Sequence, residues 1–551
     1  MRVYVASQQD TLATIAREHH IPLSQLTSLN RQIHNPDEPI AGMHITLPDS
    51  SAPIHDQPPP LSYCPLESPP FQDDWIPLTP LEQMANTDYD VIIVGTGAGG
   101  GAVLWRLCQQ WQNNGKKIGV VEAGDLLLQT NVQNVPTMNN ERAAEYFLNP
   151  RISFPIGRFL PEYPGAKEVF ALGGRTLFWN AVTPRLREEV FEQWPIASSE
   201  LDVYYSLAER VMSVSQGYAK HSTLTEYQLN RLWAGGLHEA TYMPLAADLQ
   251  PTMYGEIHSN VFFSSIQLLG RALNLRSYDL AVKARAVEVM TEQNNVRAIK
   301  VMTPDKTSYE LKAKTIVLAA STFETPRILL NSDIPGQAIG HYLTNHSFLI
   351  STGTLMTRTI PEVQGALGIL LPQQRHKPYQ IQIFGPSQFF WYHYQDKPSR
   401  ELWQYGMAAF GVVQSRYENQ LYLDPCQLDA FGVPRLNVRF AYNEADQVII
   451  QRMLQAVQQI HTIVGPNPNH QQSLEHTCLQ LPGRDYHEFG TCRMGHNPHT
   501  SATNPYGQIH HVSGLFVADN SVLPATGATN PTLTTVAVAL RTADYINEQL
   551  Q

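Results

Sequence analysis

The sequence predicts an α/β protein with three parts: a domain on a parallel sheet, an α+β part on an antiparallel sheet, and a small N-terminal βααβ domain. Three observations carry this. Tyr89–Val94 is a buried-strand run that enters a glycine-rich turn and then a helical pattern. Gln380–Phe384 and Leu436–Phe440 alternate apolar and polar residues, as half-buried strands do. The first 48 residues form a closed pattern ahead of a Pro-rich stretch. At roughly 100 to 200 residues per domain, a chain of 551 residues has room for about three units.

Composition narrows the function classes. Lys plus Arg at 38 against Asp plus Glu at 49 gives a net charge of −11, with no basic block to follow a phosphate backbone, so nucleic acid is excluded as a partner. Hydrophobic residues at 43% argue for a folded protein rather than a disordered one. No run approaches the roughly 18 apolar residues of a spanning helix. Met1–Ala6 leads straight into polar Ser7–Asp10 without a signal-peptide apolar region. Cys64, Cys108, Cys426, Cys478 and Cys492 are scattered and odd in number, which predicts neither a disulfide framework nor a CxxC metal site. A reducing, cytoplasmic compartment is the expectation.

Along residues 1–48, Val3–Val5 starts as a strand and Asp10 is the expected N-cap of a helix that turns Ile15 and Ala16 inward. Leu26 and Leu29 face inward from a second short helix, and Met43–Pro48 returns as a strand. Asp10-Thr11-Leu12, Ile15-Ala16, Asn30 and Gly42–Pro48 resemble a LysM module, with Gln9 where glycine is usual. That resemblance implies an N-acetylglucosamine glycan as ligand, or an inert fold kept for docking or assembly, and leaves cell-envelope association open. Residues 49–87, with Pro58–Pro60 and Pro69-Pro70, are expected to be a semi-extended linker, in which Phe71, Trp75 and Ile76 are apolar enough to pack onto the next domain.

After Tyr89–Val94 comes Gly95-Thr-Gly97-Ala-Gly-Gly100, a GxGxxG turn leading into the helical pattern from Gly101 to Cys108. Gly95, Gly97 and Gly100 permit a tight turn, close approach of a pyrophosphate and close packing of helix on strand, with the helix N-terminus facing the phosphate charge. A second strand, Lys117–Val121, ends in Glu122, about twenty residues beyond the last glycine, where a carboxylate can accept from ribose hydroxyls. Strand, turn, helix, strand and acid together predict a Rossmann-like dinucleotide site. They leave FAD and NAD open.

Three later segments bear on that choice. Leu172–Arg185 is a second glycine-rich passage containing Gly173 and Gly174, and Thr315–Leu330 reads as a buried strand, a turn and a Pro-initiated helix. Asp485–Gly495 is followed by Gly514–Pro524 and Thr529–Arg541. In this order they resemble the signatures of the glucose-methanol-choline (GMC) flavin oxidoreductases, from about Asp88 to the C-terminus. The Trp179–Arg185 form is nearest the pyranose oxidase and sugar-acid dehydrogenase branch.

The resemblance implies FAD. Several relatives attach flavin covalently through a histidine at the position of Phe178, so the cofactor is expected to be non-covalent here, with Asn180 near flavin N5. His487 matches the active-site histidine and Asn530 the second active-site position. Imidazole suits the task because its pKa lies near working pH. Asn530 is also a good N-cap and Pro531 a good first residue for a helix running to Leu540, whose N-terminal partial charge, with the Thr532 backbone N–H, would favour reduced flavin. Asp519 is implied to hold the ribityl chain. The histidine pairs His496/His499 and His510/His511 lack a carboxylate-rich pattern, and no metal is expected.

The implied layout is a FAD domain over 88–345, a substrate domain over 346–486 and a C-terminal return over 487–551. Phe389–Tyr392 and Tyr394 offer either a sugar-stacking surface or core packing. The expected activity is oxidation of an alcohol, with a sugar or polyol favoured, to a carbonyl by hydride transfer to flavin N5, followed by reoxidation by oxygen or a quinone or protein acceptor. The alternatives are a flavin-dependent lyase or photochemical enzyme on the same scaffold, or a glycan-binding or assembly protein whose flavin domain is inactive.

Overall fold

The computed structural model describes residues 2–49, 73–138, 140–155, 162–217, 219–220, 222–248, 261–356, 366–385, 402–465 and 476–551. Its contacts divide the chain into two compact units, Met1–Asp73 and Asp74–Gln551.

The smaller unit has the expected β-α-α-β order: strand Arg2–Val5, helices Leu12–Glu18 and Leu23–Leu29, and strand His44–Leu47, with the two strands antiparallel. Leu12, Ile15, Leu26 and Ile45 are wholly buried and form its core. Leu29, expected to face inward, is only half-buried. The N-cap is Thr11 rather than Asp10: Thr11 and Thr14 form a reciprocal capping box. Asp10 is occupied elsewhere, accepting from the Ser7 amide and the Tyr4 hydroxyl, both at 2.7 Å. Asn30 is buried and joins the second helix to the closing strand, donating to the Leu26 and Thr46 carbonyls and accepting the Thr46 amide.

Residues 74–87, expected to belong to the linker, are part of the larger unit. Ile76 enters its core, while Trp75 stays 37% exposed. The Thr79 amide bonds the Leu280 carbonyl and helix Leu81–Ala85 buries Leu81 and Met84. Pro58–Pro60, Pro69-Pro70 and Phe71, and likewise Phe389–Tyr392 and Tyr394, lie outside the described residues.

The larger unit is built on two sheets. The first has seven strands, ordered Asp279–Ala281, Ile118–Val121, Tyr89–Val94, Ser308–Leu318, Asn295–Met302 and Arg285–Glu292, with Leu515–Val517 pairing to the end of Ser308–Leu318. The pairings from Asp279–Ala281 through Ser308–Leu318 and on to Leu515–Val517 are parallel, and the Ser308–Leu318, Asn295–Met302 and Arg285–Glu292 pairings are antiparallel. Helices Ala98–Gln110 and Thr532–Gln549 pack on each other beside this sheet. Arg106 pairs with Asp544 at 2.6 Å and Trp111 Nε1 donates to Asn547 at 2.6 Å, which fixes their register. This parallel sheet is the Rossmann-like layer that the Tyr89–Glu122 segment predicts.

The second sheet is a six-stranded antiparallel layer ordered Cys478–Leu479, Ser347–Met356, Leu402–Gly411, Tyr379–Gly385, Leu367–Leu371 and Thr241–Tyr242. Ile381 and Ile383 face the core that it shares with helix Glu444–Val464. The alternation at Gln380–Phe384 predicts a half-buried strand, yet Gln380 and Gln382 are only 1% and 5% exposed. The polar face of the strand points into the site described below instead of into solvent. The Leu436–Phe440 segment does not join this sheet: Pro434–Arg439 forms a separate hairpin with Gln420–Leu428.

The helix expected to begin at its proline begins earlier, at Ser321, and carries Pro326 inside it over Ser321–Asn331. Proline has no N–H for the Thr322 carbonyl one turn back. The Thr491 hydroxyl takes that carbonyl at 2.7 Å, which ties the helix to the loop carrying His487.

Candidate active site

Where the parallel strands end, a cavity of about 470 Å³ opens, lined by the glycine turn, the Gly174–Asn180 passage and the Asp485–His487 loop. Two helix N-termini meet there. Helix Ala98–Gln110 starts at Gly97 and helix Thr532–Gln549 at Pro531, and neither has a side-chain cap. Their first N–H groups, left without intrahelical partners, lie along the cavity, which Gly97, Ala98 and Thr532 line. Gly95, at φ +94°, makes the turn from the strand. Gly99 lies so close to the Ala518 carbonyl that a Cβ would collide with it, whereas a Cβ on Gly97 would meet nothing. The residues present therefore fit a dinucleotide: an uncapped helix start and a bare glycine face on one cavity wall.

Each predicted binding residue can be placed. Gly95, Gly97, Glu122, Gly174, Asn180, Asp519 and Thr532 line the cavity. Gly100 and Gly173 sit one layer behind it: Gly100 packs on the Gly95 carbonyl, and the Gly173 amide donates to Thr96 Oγ1 at 2.9 Å. Glu122 Oε2 accepts from the Thr96 amide and hydroxyl, and Oε1 from the Gly124 amide. The carboxylate lines the cavity, where a ribose hydroxyl would meet it. Burial pushes the Glu122 pKa up, against those hydrogen bonds.

Asp519 is also tied to the protein around it. Its carboxylate already accepts from the Ser521 amide and hydroxyl, the Ser321 amide at 3.0 Å and the Thr325 hydroxyl at 2.6 Å. It joins the strand end at Val517 to the start of helix Ser321–Asn331 and so fixes the wall at which a ribityl chain would lie. Phe178 lines the same cavity, its ring 5.3 Å from that of Phe147, and offers no nucleophilic nitrogen.

The reactive end lies below the antiparallel sheet. Asn530 does not cap the helix as expected. Its Oδ1 accepts from Gln380 Nε2 and Gln382 Nε2, both at 2.7 Å, and its Nδ2 faces His487 Nε2 at 3.3 Å. Pro531, already helical at φ −81° and ψ −20°, begins the turn without a side-chain cap. On the other side of the imidazole, His487 Nδ1 faces His346 Nδ1 at 3.1 Å, and His346 Nε2 is 3.1 Å from Thr526 Oγ1. Phe410 covers the ring at 5.0 Å. Tyr486 has φ +56°, a left-handed conformation that turns the chain so that Asp485 and His487 both reach His346.

Electrostatics keep this imidazole neutral. Burial, then His346, then the Arg175 guanidinium hold the His487 pKa well below the usual histidine range. His346 is pushed down to about 3 by burial. Arg175 lines the cavity and donates to Glu488 at 2.7 Å and to the Tyr486 carbonyl at 3.3 Å, gripping the His487 loop from both sides. Glu168, also on the cavity wall, takes the Ser321 hydroxyl and is pushed up to about 8 by burial.

Sequence reasoning missed His346, Asp485, Gln380, Gln382, Arg175 and Glu168 as site residues. The alternation at Gln380–Gln382 was the one available signal, since two glutamines on one strand face can serve a polar site as well as solvent. His346, Asp485 and His487 also form a trio whose ligand atoms lie within 4.8 Å of one another. Asp485 Oδ2 is 3.8 Å and 4.0 Å from the two Nδ1 atoms and accepts the His346 peptide N–H at 2.9 Å. The two rings thus face each other as a hydrogen-bonded pair, with the carboxylate anchored to backbone. His496, by contrast, bonds the Pro195 carbonyl.

Family models match at three places: GMC oxidoreductase models over 263–348 and 415–539, and a LysM domain over 4–48. Among curated proteins, a 2-methyl-1,2-propanediol dehydrogenase from Mycolicibacterium austroafricanum is 24% identical, covering 84% of this chain and 95% of its own. A C-glycoside 3-oxidase from Arthrobacter globiformis is 27% identical over 74% of this chain and 79% of its own. A pyranose 2-oxidase from Tricholoma matsutake is 23% identical over 70% and 73%. Among solved structures, pyridoxine 4-oxidase from Mesorbium loti has the same fold, with TM-score 0.61, 16% identity and coverage of 84% and 99%. Formate oxidase from Aspergillus oryzae RIB40 superposes with TM-score 0.61 at 14% identity and coverage of 84% and 98%. The chain thus carries GMC oxidoreductase N- and C-terminal domains around this cavity and an N-terminal LysM domain, and it is an FAD-dependent oxidoreductase of CH–OH donors.

Proposed function

We propose that this chain oxidises a secondary or primary hydroxyl of a sugar or polyol to a carbonyl, using non-covalent FAD. The observation that carries the reading is the pairing of His487 Nε2 with Asn530 Nδ2 at 3.3 Å, an acceptor beside a donor at the cavity's reactive end. The alcohol oxygen sits beside the pair, within reach of both, and takes the place of the Asn530 N–H at Nε2. Asn530 donates to that oxygen and holds its lone pair, while His487 Nε2 accepts the hydroxyl proton. The carbinol C–H bond then breaks as the C=O bond forms, leaving a carbonyl product and an imidazolium. FAD, when bound, supplies the two-electron acceptor for the hydride. Phe410 packs against the ring at 5.0 Å and restricts its orientation.

Support for a sugar or polyol comes from the density of amide and imidazole groups around the oxygen, and from the sugar-oxidising relatives. Gly97, Glu122, Asn180 and Thr532 would meet the FAD. Phe178 on the cavity wall supports the non-covalent mode. The LysM domain is read as a binder of N-acetylglucosamine glycan, which would bring the catalytic unit to a cell envelope. No helix among the described residues is long and apolar enough to cross a membrane.

Anaerobic mixing of the yellow protein with a panel of sugars, polyols and simple alcohols tests the reading. Bleaching of the flavin by a sugar or polyol, with one carbonyl formed per flavin, is expected. Bleaching by simple alcohols alone would overturn the substrate class, and no bleaching by any would overturn the reaction. Admitting air or a quinone to the bleached protein then separates oxidase from dehydrogenase.

A further inference from the structure

We infer that His346 is a positioning residue for His487, the middle of a directed hydrogen-bond chain that fixes which nitrogen of His487 carries its proton. The inference rests on the proposed role of His487 and adds a residue to it. The direction follows donor by donor. Gln380 and Gln382 both present Nε2 to Asn530 Oδ1, so Oδ1 is the acceptor end and Nδ2 must point to His487. A donor there leaves His487 Nε2 as the lone-pair nitrogen. A neutral imidazole has one N–H, so His487 carries it on Nδ1 and donates it to His346 Nδ1 at 3.1 Å. His346 then carries its own proton on Nε2 and passes the direction on to Thr526 Oγ1.

The chain is built to stay in that sense. His346 is 1% exposed and Thr526 is wholly buried, so protein groups and not bulk water set the His346 end of the chain. Asp485 holds the His346 peptide N–H through Oδ2 and the Asn345 side-chain amide through Oδ1, which fixes the backbone from which the His346 ring projects. Phe410 packs edge-on to His346 and beside His487, restricting both rings. With His346 absent, the Nδ1–H of His487 would lose its acceptor, and the other tautomer, blocked at Nε2, would gain population. His346 touches neither the reacting atoms nor the cofactor. It acts through His487.

The test compares His346→Leu, His346→Asn and Asp485→Asn with the parent. Asparagine places an acceptor oxygen near the position of Nδ1, and leucine does not. For an alcohol that bleaches the parent flavin, His346→Leu should retain FAD and an unchanged KM, with the limiting rate of anaerobic flavin reduction falling about thirtyfold or more. His346→Asn should recover at least half of that loss on a logarithmic scale. In selectively ¹⁵N-histidine-labelled protein, assigned with His487→Gln, the parent should show His487 with a protonated Nδ1 and a bare Nε2, and the leucine variant a mixture. If His346→Leu fails to fold, Asp485→Asn keeps the volume and should give a smaller fall in the same direction, with KM again unchanged.

Reduction by His346→Leu within threefold of the parent, or a parent spectrum with the proton on Nε2, would overturn the inference. So would a metal that copurifies and whose removal by chelator shifts the His346 and His487 signals. If no alcohol bleaches the parent, the functional reading fails, while the nitrogen spectrum still decides the tautomer.

Discussion

Gln382 Nε2 donates to Asn530 Oδ1 at 2.7 Å, a bond between an antiparallel strand and a helix start that are 148 residues apart in sequence. Gln380 makes the same bond from two residues earlier. A side-chain amide held by two donors on one atom cannot rotate without losing both. The orientation of Asn530 is therefore set by the sheet and not by the substrate.

From this follows a coupling that can be measured. Gln382→Leu should slow anaerobic flavin reduction about five- to tenfold, since a neutral hydrogen bond contributes about 1 kcal/mol and each 1.4 kcal/mol is a factor of ten. Gln382→Leu in an Asn530→Ala background should have less than a twofold effect, because the glutamine acts through the asparagine. Equal effects in both backgrounds would show that Gln382 meets the substrate directly.

A second prediction concerns attachment of the cofactor. Phe178 lines the cavity with a ring that cannot form a bond to flavin. Denaturing the yellow protein in acid should release all of its FAD into the supernatant, and yellow colour remaining with the precipitate would contradict this.

The glycine turn separates packing from binding. A Cβ on Gly99 would strike the Ala518 carbonyl, whereas a Cβ on Gly97 would meet no protein atom. Gly99→Ala should lower Tm of the flavin-free protein, at the overpacking cost of about 1–3 kcal/mol. Gly97→Ala should leave that Tm within about a degree and weaken FAD binding at least tenfold, measured by titration of flavin fluorescence. A Gly97→Ala protein with parental FAD affinity would place the pyrophosphate elsewhere.

How much of this was legible in the sequence depends on range. Tyr89 to Glu122 spells out strand, turn, helix, strand and acid because every cue acts over a few residues. Thr11 displaced Asp10 as the N-cap because Tyr4 and Ser7 compete for the aspartate, which no local pattern reveals. The same holds at the site: Asn530 reads as a helix cap until Gln380 and Gln382 arrive from a different sheet. His346 has nothing in its neighbourhood to mark it. Its partner is 141 residues away, and only the fold sets the two rings side by side.

The two units should behave independently. Removing residues 1–72 should leave flavin content and reductive rate within about twofold, because Met1–Asp73 has its own core. Asn30→Ala strands the Leu26 and Thr46 backbone groups and should unfold the small unit at lower temperature, by about 1–3 kcal/mol, without moving the temperature of flavin release. Loss of flavin on truncation would show that the units depend on each other.

The central claim is that His487 Nε2 takes the hydroxyl proton, and rapid-mixing measurement of flavin reduction in His487→Ala tests it most directly. The contacts assigned to FAD lie on Gly97, Glu122 and Thr532, so the variant should purify yellow with parental FAD content. General-base catalysis typically contributes about 10² to 10⁴ in rate, so reduction by a good substrate should slow at least about a hundredfold. A yellow His487→Ala protein that reduces its flavin within threefold of the parent rate would contradict the account.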